Sequence, residues 1–451
     1  MDDRDHRIAE LEAENAELRK RLAHVEQQLQ NILQRRKKTR SNVADPKRAE
    51  KDRRRKKFRK HPGSFRPEPP PDTAFIEHDV RPEQCSRCGG RDLEATGQFD
   101  EHVVADIPEP QVEWHRYRRH IYVCQGCQAT CQARGELELP GAHVGPRARL
   151  LACYARAHLG ISLGKTQHLL HDYFGLTVSR AGLLGHLHWG GNLFAPVVDE
   201  LWEILRRSPV AQGDETGWRI DGQMAWAWCF RDTRLALFLI DRHRNRAVLE
   251  RALGKSFAGT LVSDFYAVYD GLDCRKQRCL AHLLRELAKL RETLPEPSVR
   301  AFIQPLVTLF QDAIQLGKDR DALTSEAFAA AGQRIQDRFD ELMLNTHTKQ
   351  RDCLRIWRRL FKHSGELFTF LDDPQVPADN NGCERDIRSL AAARNDGGVH
   401  RAEWSAAAFA RIKSVIATGM KNGLRFARYG VDVVRAKLQD DCLPLPLTDT
   451  S

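Results

Sequence analysis

The 451-residue sequence has no apolar run close to the ~18 residues that a membrane-spanning helix requires. Its first residues, MDDRDHRIAELEAEN, lack the basic start and apolar core of a secretory signal peptide. The hydrophobic fraction of 41% and the charged fraction of 29% are typical of a soluble globular chain. We therefore expect a cytoplasmic protein of about three domains that has no membrane partner.

A disulfide framework is also not expected, since the cytosol keeps thiols reduced and clustered cysteines there more often bind metal. Among the twelve cysteines, Cys85 and Cys88 form one C-x2-C pair, and Cys124 and Cys127 form a second pair 35 residues later. Two such pairs supply the four thiolates of a structural Zn²⁺ site, with no position left open for water. Cys131 is an alternative to Cys127, and free buried thiols are the simpler alternative.

The segments HVVADIP and VEWHRYRRHIYVC between the two pairs alternate in polarity, which predicts the short strands of a zinc ribbon.

The positive charge is concentrated near the N-terminus. The whole chain carries a net +10, whereas residues 35–60 hold fifteen Lys/Arg against three Asp/Glu. Like charge followed by proline predicts an unpacked basic tether that binds DNA phosphates without sequence preference, a plain solvated linker being the alternative. The cations that we expect to contact DNA are Arg53, Arg54, Arg55, Lys56, Lys57, Arg59 and Lys60.

An apolar heptad precedes this tether. Its positions, at alternating steps of three and four, are Ile8, Leu11, Asn15, Leu18, Leu22, Val25, Leu29 and Ile32. The pattern predicts a coiled coil, and the asparagine at an a position favours a parallel dimer. A homodimer or higher oligomer is therefore expected, although a single amphipathic helix on the protein's own body fits the same four heptads.

The segment LGKTQHLLHDYFGLTVSRAGLLGHLHW predicts two short helices that are separated at Gly175, the second of them capped by Ser179. This arrangement resembles a helix-turn-helix, in which Arg180 would contact DNA. Helix pairs with a glycine turn often only pack together, so a purely structural role stays open.

From residue 209 onward, three strand-like runs, a helix-like run and a fourth strand predict the opening of an RNase H-like α/β fold. Asp214 in QGDETGW and Asp264 in LVSDFYAVY interrupt apolar runs, where a charge is costly unless it is paired or bound to metal. Strand-end or salt-bridged acids are the common alternative. Glu384 follows Asn381 at the spacing of a capping box, a purely local alternative for that glutamate.

Taken together, these strings resemble the transposases of the insertion-sequence sixty-six family over nearly the whole chain. The resemblance is carried by the zipper, the basic tether, the cysteine pairs and the strings DETGWR, LVSDFYAVY, QRCLAHLLREL, DNNGCERDIR and GGVHRAEWSAAAFARIKSVIATGMKNG. It implies a bacterial, nucleoid-associated enzyme that acts on the terminal inverted repeats of its own element and on target DNA. Two accessory proteins from neighbouring reading frames are implied as possible partners.

The resemblance also implies a DDE triad at Asp214, Asp264 and Glu384, separated by 50 and 120 residues. Two Mg²⁺ (or Mn²⁺) ions about 4 Å apart would clamp the attacking and leaving oxygens of phosphoryl transfer. Asp214 would bridge the ions, and each of the other two acids would complete one shell. His282, in a C-x-x-H element similar to one in related transposases, would orient the site or the DNA.

Arg385 and Arg388 lie within about one helical turn of the glutamate, and guanidinium groups suit phosphate binding; a solvated helix face is the alternative. The sequence departs from the usual family wording at Phe265, where a glycine is common, and at Gly382, Cys383 and Asp386. None of these departures removes a metal ligand, but Asp386 adds negative charge close to the expected site.

The expected architecture is multidomain, and two other functions compete with transposition: a catalytically silent zinc-containing DNA-binding regulator and a nuclease without strand transfer. The predicted segments are a coiled coil (1–34), the basic tether (35–75), a zinc ribbon (76–140), a helix-turn-helix-like region (141–207), an RNase H-like core in two parts (208–291 and 371–436), a helical insertion between them (292–370) and a tail (437–451).

Overall fold

The structure is a computed structural model that describes residues 69–448 except 99, 295, 346–347 and 399. The predicted coiled coil, most of the basic tether and its seven DNA-contacting cations therefore lie outside the described residues. The chain divides into two units, Met1–Val103 and Val104–Ser451, and each is considered by itself.

The beginning of the second unit contains one small hairpin. Strands β1 (Ile121–Val123) and β2 (Thr130–Gln132) pair antiparallel on either side of the second C-x2-C pair. The prediction of further strands between the cysteine pairs is wrong for HVVADIP and for residues 112–120, which have no strand in the described part of the chain. Their alternating side chains are mostly exposed, so a strand there would gain no stability from burying one face.

A five-stranded mixed sheet forms the centre of the second unit, with the strand order β5-β4-β3-β6-β7. β3, β4 and β5 are antiparallel, whereas β6 runs parallel to β3 and β7 runs parallel to β6. The strands are β3 (Val210–Ile220), β4 (Gln223–Arg231), β5 (Ala236–Asp241), β6 (Ser256–Ser263) and β7 (Asp273–Arg278).

Most of the remaining elements of the second unit are helices. They are α1 (Pro146–Ala157), α2 (Leu163–Phe174), α3 (Arg180–Leu193), α4 (Ala195–Arg206), α5 (Arg246–Leu253), α6 (Leu280–Thr293), α7 (Pro297–Lys318), α8 (Ser325–Asn345), α9 (Arg351–Lys362), α10 (Thr369–Asp372), α11 (Asn381–Gly397), α12 (Glu403–Lys421) and α13 (Phe426–Gln439). No helix among the described residues is both long and apolar enough to cross a bilayer.

The edge strand β5 is covered by α12. Ser414 accepts a hydrogen bond from the backbone N–H of Phe238 at 2.8 Å, and Thr418 accepts one from Ala236 at 3.1 Å. These bonds satisfy donors that an uncovered sheet edge would leave free for another chain. α12 therefore closes the sheet on the side away from β6 and β7.

The second unit has two main apolar cores. One lies between the sheet and helices α1, α3–α5 and α11–α13, and contains Trp218, Trp228 and Phe409. The other joins α6 to the inserted helices α7–α10 and contains Phe310 and Phe339. The insertion thus has its own packed interior and is fixed to the sheet through α6.

Helices α2 and α3 lie where the sequence predicts them. Gly175 ends α2 in the left-handed conformation at φ 65°, which a glycine adopts at no steric cost, and the Ser179 side chain accepts the backbone N–H of Gly182 to cap α3. The C-terminal half of α3 is part of the core, where a Cβ on Gly191 would lie 2.4 Å from Ala408. Arg180 and Ala181 at the start of α3 are exposed, and so are His188 and Asn192 further along the helix.

Candidate active site

Two acidic residues lie where neighbouring parallel strands end their pairing. Gln212 on β3 is in register with Val262 on β6, and two residues further along each strand lie Asp214 and Asp264. Side chains two residues apart on a strand point to the same face of the sheet. The parallel register therefore brings the two carboxylates to the same side, next to each other.

The pKa of Asp214 is raised by its burial and by neighbouring acids. Burial first, then the charges of Glu215, Asp264 and Glu384, raise the pKa of Asp214 to about 7; the backbone N–H of Glu215, which donates to Asp214 Oδ1 at 2.9 Å, opposes the shift. The charges of Asp264 and Glu384 make the smallest of the contributions that raise this pKa. The fold therefore brings both acids within electrostatic range of Asp214.

Glu384 is in the first turn of α11, but it does not cap that helix. The side chain of Asp379 accepts the backbone N–H of Asn381 at 3.0 Å, and the N-cap residue Asn380 makes no side-chain cap bond. The capping-box alternative for Glu384 is therefore wrong, since the N-cap residue is Asn380, one residue earlier than the spacing suggests. The carboxylate of Glu384 is left for tertiary contacts.

Those contacts come from α6 and from α11 itself. Arg285 Nη2 lies 2.5 Å from Glu384 Oε1, and His282 Nε2 lies 3.5 Å from the same oxygen. Arg388 Nη2 lies 3.8 Å from the other oxygen but is 76% exposed. Without bound metal, the Glu384 carboxylate thus has a cationic counter-ion on α6.

Cys279 joins the start of α6 to the start of α11. Its buried sulfur accepts the backbone N–H of Asn380 at 3.1 Å, and the Asn380 side chain donates to the carbonyl of Gly213 at 2.8 Å. Burial raises the pKa of the Cys279 thiol to about 11, opposed by backbone N–H groups that point at it. The ligand atoms of Cys279, His282 and Glu384 lie within 4.8 Å of one another, close enough to share one ion.

Asp264 is held from two directions. Its Oδ1 accepts the backbone N–H of Tyr266 at 2.9 Å, and its carbonyl accepts Arg278 Nη1 at 2.9 Å. Arg278 is fully buried and also forms ion pairs with Asp270 at 2.5 Å and Glu366 at 2.6 Å. Because Glu366 follows α9, this buried arginine connects the backbone of Asp264 to the helical insertion.

Sequence reasoning missed Glu215, whose side chain is 2% exposed beside Asp214. Arg244 donates two hydrogen bonds to Glu215, at 2.5 and 3.0 Å, and the Tyr269 hydroxyl donates a third. The Arg244 guanidinium also lies over the rings of Trp226, at 4.3 Å, and Tyr266, at 3.7 Å. The adjacent acids in DETGW were the available signal, but the partners of Glu215 are 29 and 54 residues away.

The residues around the glutamate have different surroundings. Arg385 and Arg388 are exposed. Asp386 forms ion pairs with Arg231 at 3.3 Å and Lys421 at 3.7 Å. The expectation that Asp386 adds free negative charge to the site is therefore wrong, because two cations neutralise it. Gly382 is closely packed, since a Cβ there would lie 1.9 Å from Arg231 Nη1 and would displace that side chain.

Each cysteine pair forms a tight turn with the same hydrogen bonds. Cys85 N–H donates to the carbonyl of Gly90 and Cys124 N–H donates to that of Ala129, both at 2.8 Å. N–H groups of Arg87 and Cys88 lower the pKa of the Cys85 thiol, and those of Cys127 and Gly126 lower that of Cys124. Both turns thus favour the thiolate that Zn²⁺ binds. Cys131 is exposed on β2.

Arg180 is exposed in the first turn of α3, and it has no ion-pair partner in the part of the chain that the structure describes. Its guanidinium lies over Gly164 of α2, where an added Cβ would be 3.2 Å from Arg180 Nη2. The structure therefore places Asp214 and Asp264 at adjacent strand ends and His282 beside Glu384, and Arg180 lies at a helix start outside these contacts.

Paired C-x2-C turns, a mixed α/β domain and acidic residues at adjacent strand ends are compatible with a transposase. Residues 143–408, more than half of the chain, match the family described as "Transposase IS66 family", and the chain belongs to that family. Residues 82–128 match the "zinc-finger binding domain of transposase IS66". The uncharacterized protein y4jD of Sinorhizobium fredii is 24% identical over 390 residues, which cover 76% of this chain and 73% of that protein. The family predicted from the sequence is confirmed.

Proposed function

We propose that this transposase cuts and joins DNA through two Mg²⁺ or Mn²⁺ ions held by Asp214, Asp264 and Glu384. The observation that carries the proposal is the raised pKa of Asp214, to which the charges of the other two acids contribute. The strand pattern supports it as well. Three antiparallel strands, a helix and a fourth strand parallel to the first are the opening of an RNase H-like fold.

The donor set fits magnesium, because the site offers carboxylate oxygens, the hard ligands that Mg²⁺ prefers. Two ions bound there would clamp the attacking and leaving oxygens of an in-line phosphoryl transfer. Asp214 has to lose its proton to serve as a ligand, and its pKa of about 7 sets that change near neutral pH. Glu384 has to exchange its Arg285 contact for an ion.

The remaining residues position these ligands and the DNA. The Tyr266 N–H and buried Arg278 fix Asp264 from its side chain and its backbone. His282 orients Glu384 from α6, at 3.5 Å. Arg385 and Arg388, exposed beside the glutamate, supply guanidinium groups for phosphate.

The other predicted DNA-binding elements complete the proposal. A structural Zn²⁺ is held by Cys85, Cys88, Cys124 and Cys127, and each of the two turns favours thiolates by its own backbone N–H groups. Arg180 at the start of α3 and the basic tether contact the inverted repeats. The N-terminal heptads make the protein a dimer, so that two ends of the element are held together.

The test compares Asp214→Asn, Asp264→Asn and Glu384→Gln in a cleavage assay on DNA that carries a terminus of the element. Each variant should lower Mg²⁺-dependent cleavage at least about 10³-fold, because loss of a metal ligand removes several kcal/mol of charge stabilisation. Binding of the same DNA should be unchanged. Glu292→Gln, an exposed acid on α6, is the matched control and should cut normally.

Unimpaired cutting by any of the three variants would remove the triad assignment. A wild-type protein that binds the terminus but never nicks it in Mg²⁺ or Mn²⁺ would favour the DNA-binding regulator instead, and cutting without strand joining would favour a plain nuclease.

A further inference from the structure

Helix α9 of the insertion has one strongly basic face. Cys353, Ile356 and Leu360 are fully buried on its inner side. On the outer side, residues at steps of four, three and four lie along one face of a helix. These exposed residues are Arg351, Arg355, Arg358 and Lys362, here called the basic stripe.

The basic stripe lies next to the candidate active site. Arg355 Nη2 is 3.0 Å from Glu286 on α6, the helix whose first two turns carry His282 and Arg285. Arg359, between the stripe and the site, bonds to the same glutamate. Its guanidinium also lies 4.5 Å from the ring of Phe265, the residue that follows Asp264.

Lys362 at the end of the stripe pairs with Asp270 at 2.5 Å, and Asp270 also pairs with buried Arg278. Because Arg278 donates to the carbonyl of Asp264, the stripe is attached to the site through side chains on two sides, from α6 and from the segment after β6.

Positive charge on this face exceeds the available negative charge. Glu286 pairs with both Arg355 and Arg359. Asp270 pairs with Arg278 as well as with Lys362. Arg351 and Arg358 have no acid within ion-pair distance among the described residues. Ion pairs among the described residues therefore do not account for these two exposed arginines.

We infer that the basic stripe binds the phosphate backbone of the DNA duplex that leads away from the cleavage site. The inference rests on the proposed function, because a phosphodiester that reaches Asp264 places the adjoining duplex beside α9. Charge complementarity identifies the occupant. The stripe spans about 16 Å at 1.5 Å per residue, and duplex DNA presents one negative charge per ~1.7 Å of its axis. Arg351 and Arg358 each contact one phosphate.

The test uses the full chain and measures binding of a fluorescein-labelled 40-base-pair duplex that carries one terminus of the element, in buffer free of divalent ions, over a series of KCl concentrations. Each lost phosphate contact lowers the slope of log K against log [KCl] by about 0.9. Arg351→Gln/Arg358→Gln should therefore lower the slope by about 1.8. Arg351→Lys/Arg358→Lys keeps the charges and should keep most of the slope.

The matched control is Arg334→Gln/Arg428→Gln, which removes two exposed arginines on α8 and α13 and should leave the slope unchanged. An unchanged slope in the stripe variant, or an equal fall in the control, would overturn the inference. Thermal unfolding of all variants should match the wild type, because the replaced arginines make no ion pairs.

Failure of the proposed function is distinguishable, because binding is measured without cutting. The triad variants could cut normally while the salt dependence of binding falls in the stripe variant. In that case the catalytic assignment is wrong and the inference that the basic stripe binds DNA is supported. If the triad variants are inactive and the slope is unchanged, only the stripe inference fails.

Discussion

The cysteine turns and the carboxylate site prepare their ligand groups in opposite ways. In the turn at Cys124 the thiol is exposed, and backbone N–H groups of Cys127 and Gly126 lower its pKa. At Asp214 the carboxyl is largely buried, and burial together with other acids raises its pKa to about 7. The cysteine turn therefore favours the ionised thiolate, whereas the surroundings of Asp214 oppose the ionised carboxylate.

The difference follows from where the shifting groups come from. A four-residue turn supplies its own N–H donors, so the thiolate is favoured as soon as the turn forms. The carboxyl of Asp214 is largely buried and lies near the charges of Glu215, Asp264 and Glu384, all of which oppose its ionisation. A bound cation would offset that cost.

The largest effect is expected from breaking the cysteine turns. Cys124→Ser or Cys127→Ser should reduce bound zinc, measured by elemental analysis, from one ion per chain to almost none, because structural zinc sites hold about 10–16 kcal/mol of apparent binding free energy that a lost thiolate largely removes. Cys442→Ser changes an exposed cysteine outside both turns and should retain the ion. Zinc that survives in Cys127→Ser and disappears in Cys131→Ser would reassign the fourth ligand.

A smaller effect is expected from Asp214→Asn on stability without magnesium. Because the pKa of Asp214 is about 7 in the folded protein and 3.8 ordinarily, the unfolded chain ionises first, and the wild type loses stability as pH rises from about 4 to 7. Three pKa units correspond to about 4 kcal/mol. The free energy of urea unfolding of the variant minus that of the wild type should be up to about 4 kcal/mol larger at pH 8 than at pH 4.

The exposed control Asp441→Asn should show no such change between the two pH values. If the gain in unfolding free energy from Asp214→Asn were equal at pH 4 and pH 8, the pKa of Asp214 would not be raised. The contrast with the cysteine turns would then be wrong.

The smallest effect is expected from Arg285→Ala, which removes the counter-ion of Glu384. Arg285 is 56% exposed, and exposed ion pairs contribute only about 0.2–1 kcal/mol. Mg²⁺ should therefore bind up to about fivefold tighter in calorimetric titrations without DNA. Arg291→Ala, on the same helix, should leave the affinity unchanged. Weaker binding in Arg285→Ala would mean that the arginine supports the metal-binding geometry of Glu384.

Features that depend on neighbouring residues could be predicted from the sequence. Gly175 and Ser179 end and begin helices as their residue types favour, and the alternating strands around Asp214 form the central sheet. The family was also recognisable, because its strings are long and ordered. Of the strands expected between the cysteine pairs, only β1 forms among the described residues, where β2 pairs with it; HVVADIP and residues 112–120 form none.

Contacts between distant residues were not predictable in the same way. Nothing in DETGW shows that Glu215 would meet Arg244 and Tyr269, and nothing near Asp386 shows that Arg231 and Lys421 would neutralise it. These partners become neighbours only when the strands and helices pack.

By itself, the sequence determined the cysteine turns, the helix ends and the strand pattern of the central sheet. Those properties depend on hydrogen bonds and side-chain periodicity within a few residues. Only the tertiary structure decided that Arg285 pairs with Glu384 and that burial raises the pKa of Asp214. Burial and charge interaction are sums over everything that surrounds a group, and folding alone assembles those surroundings.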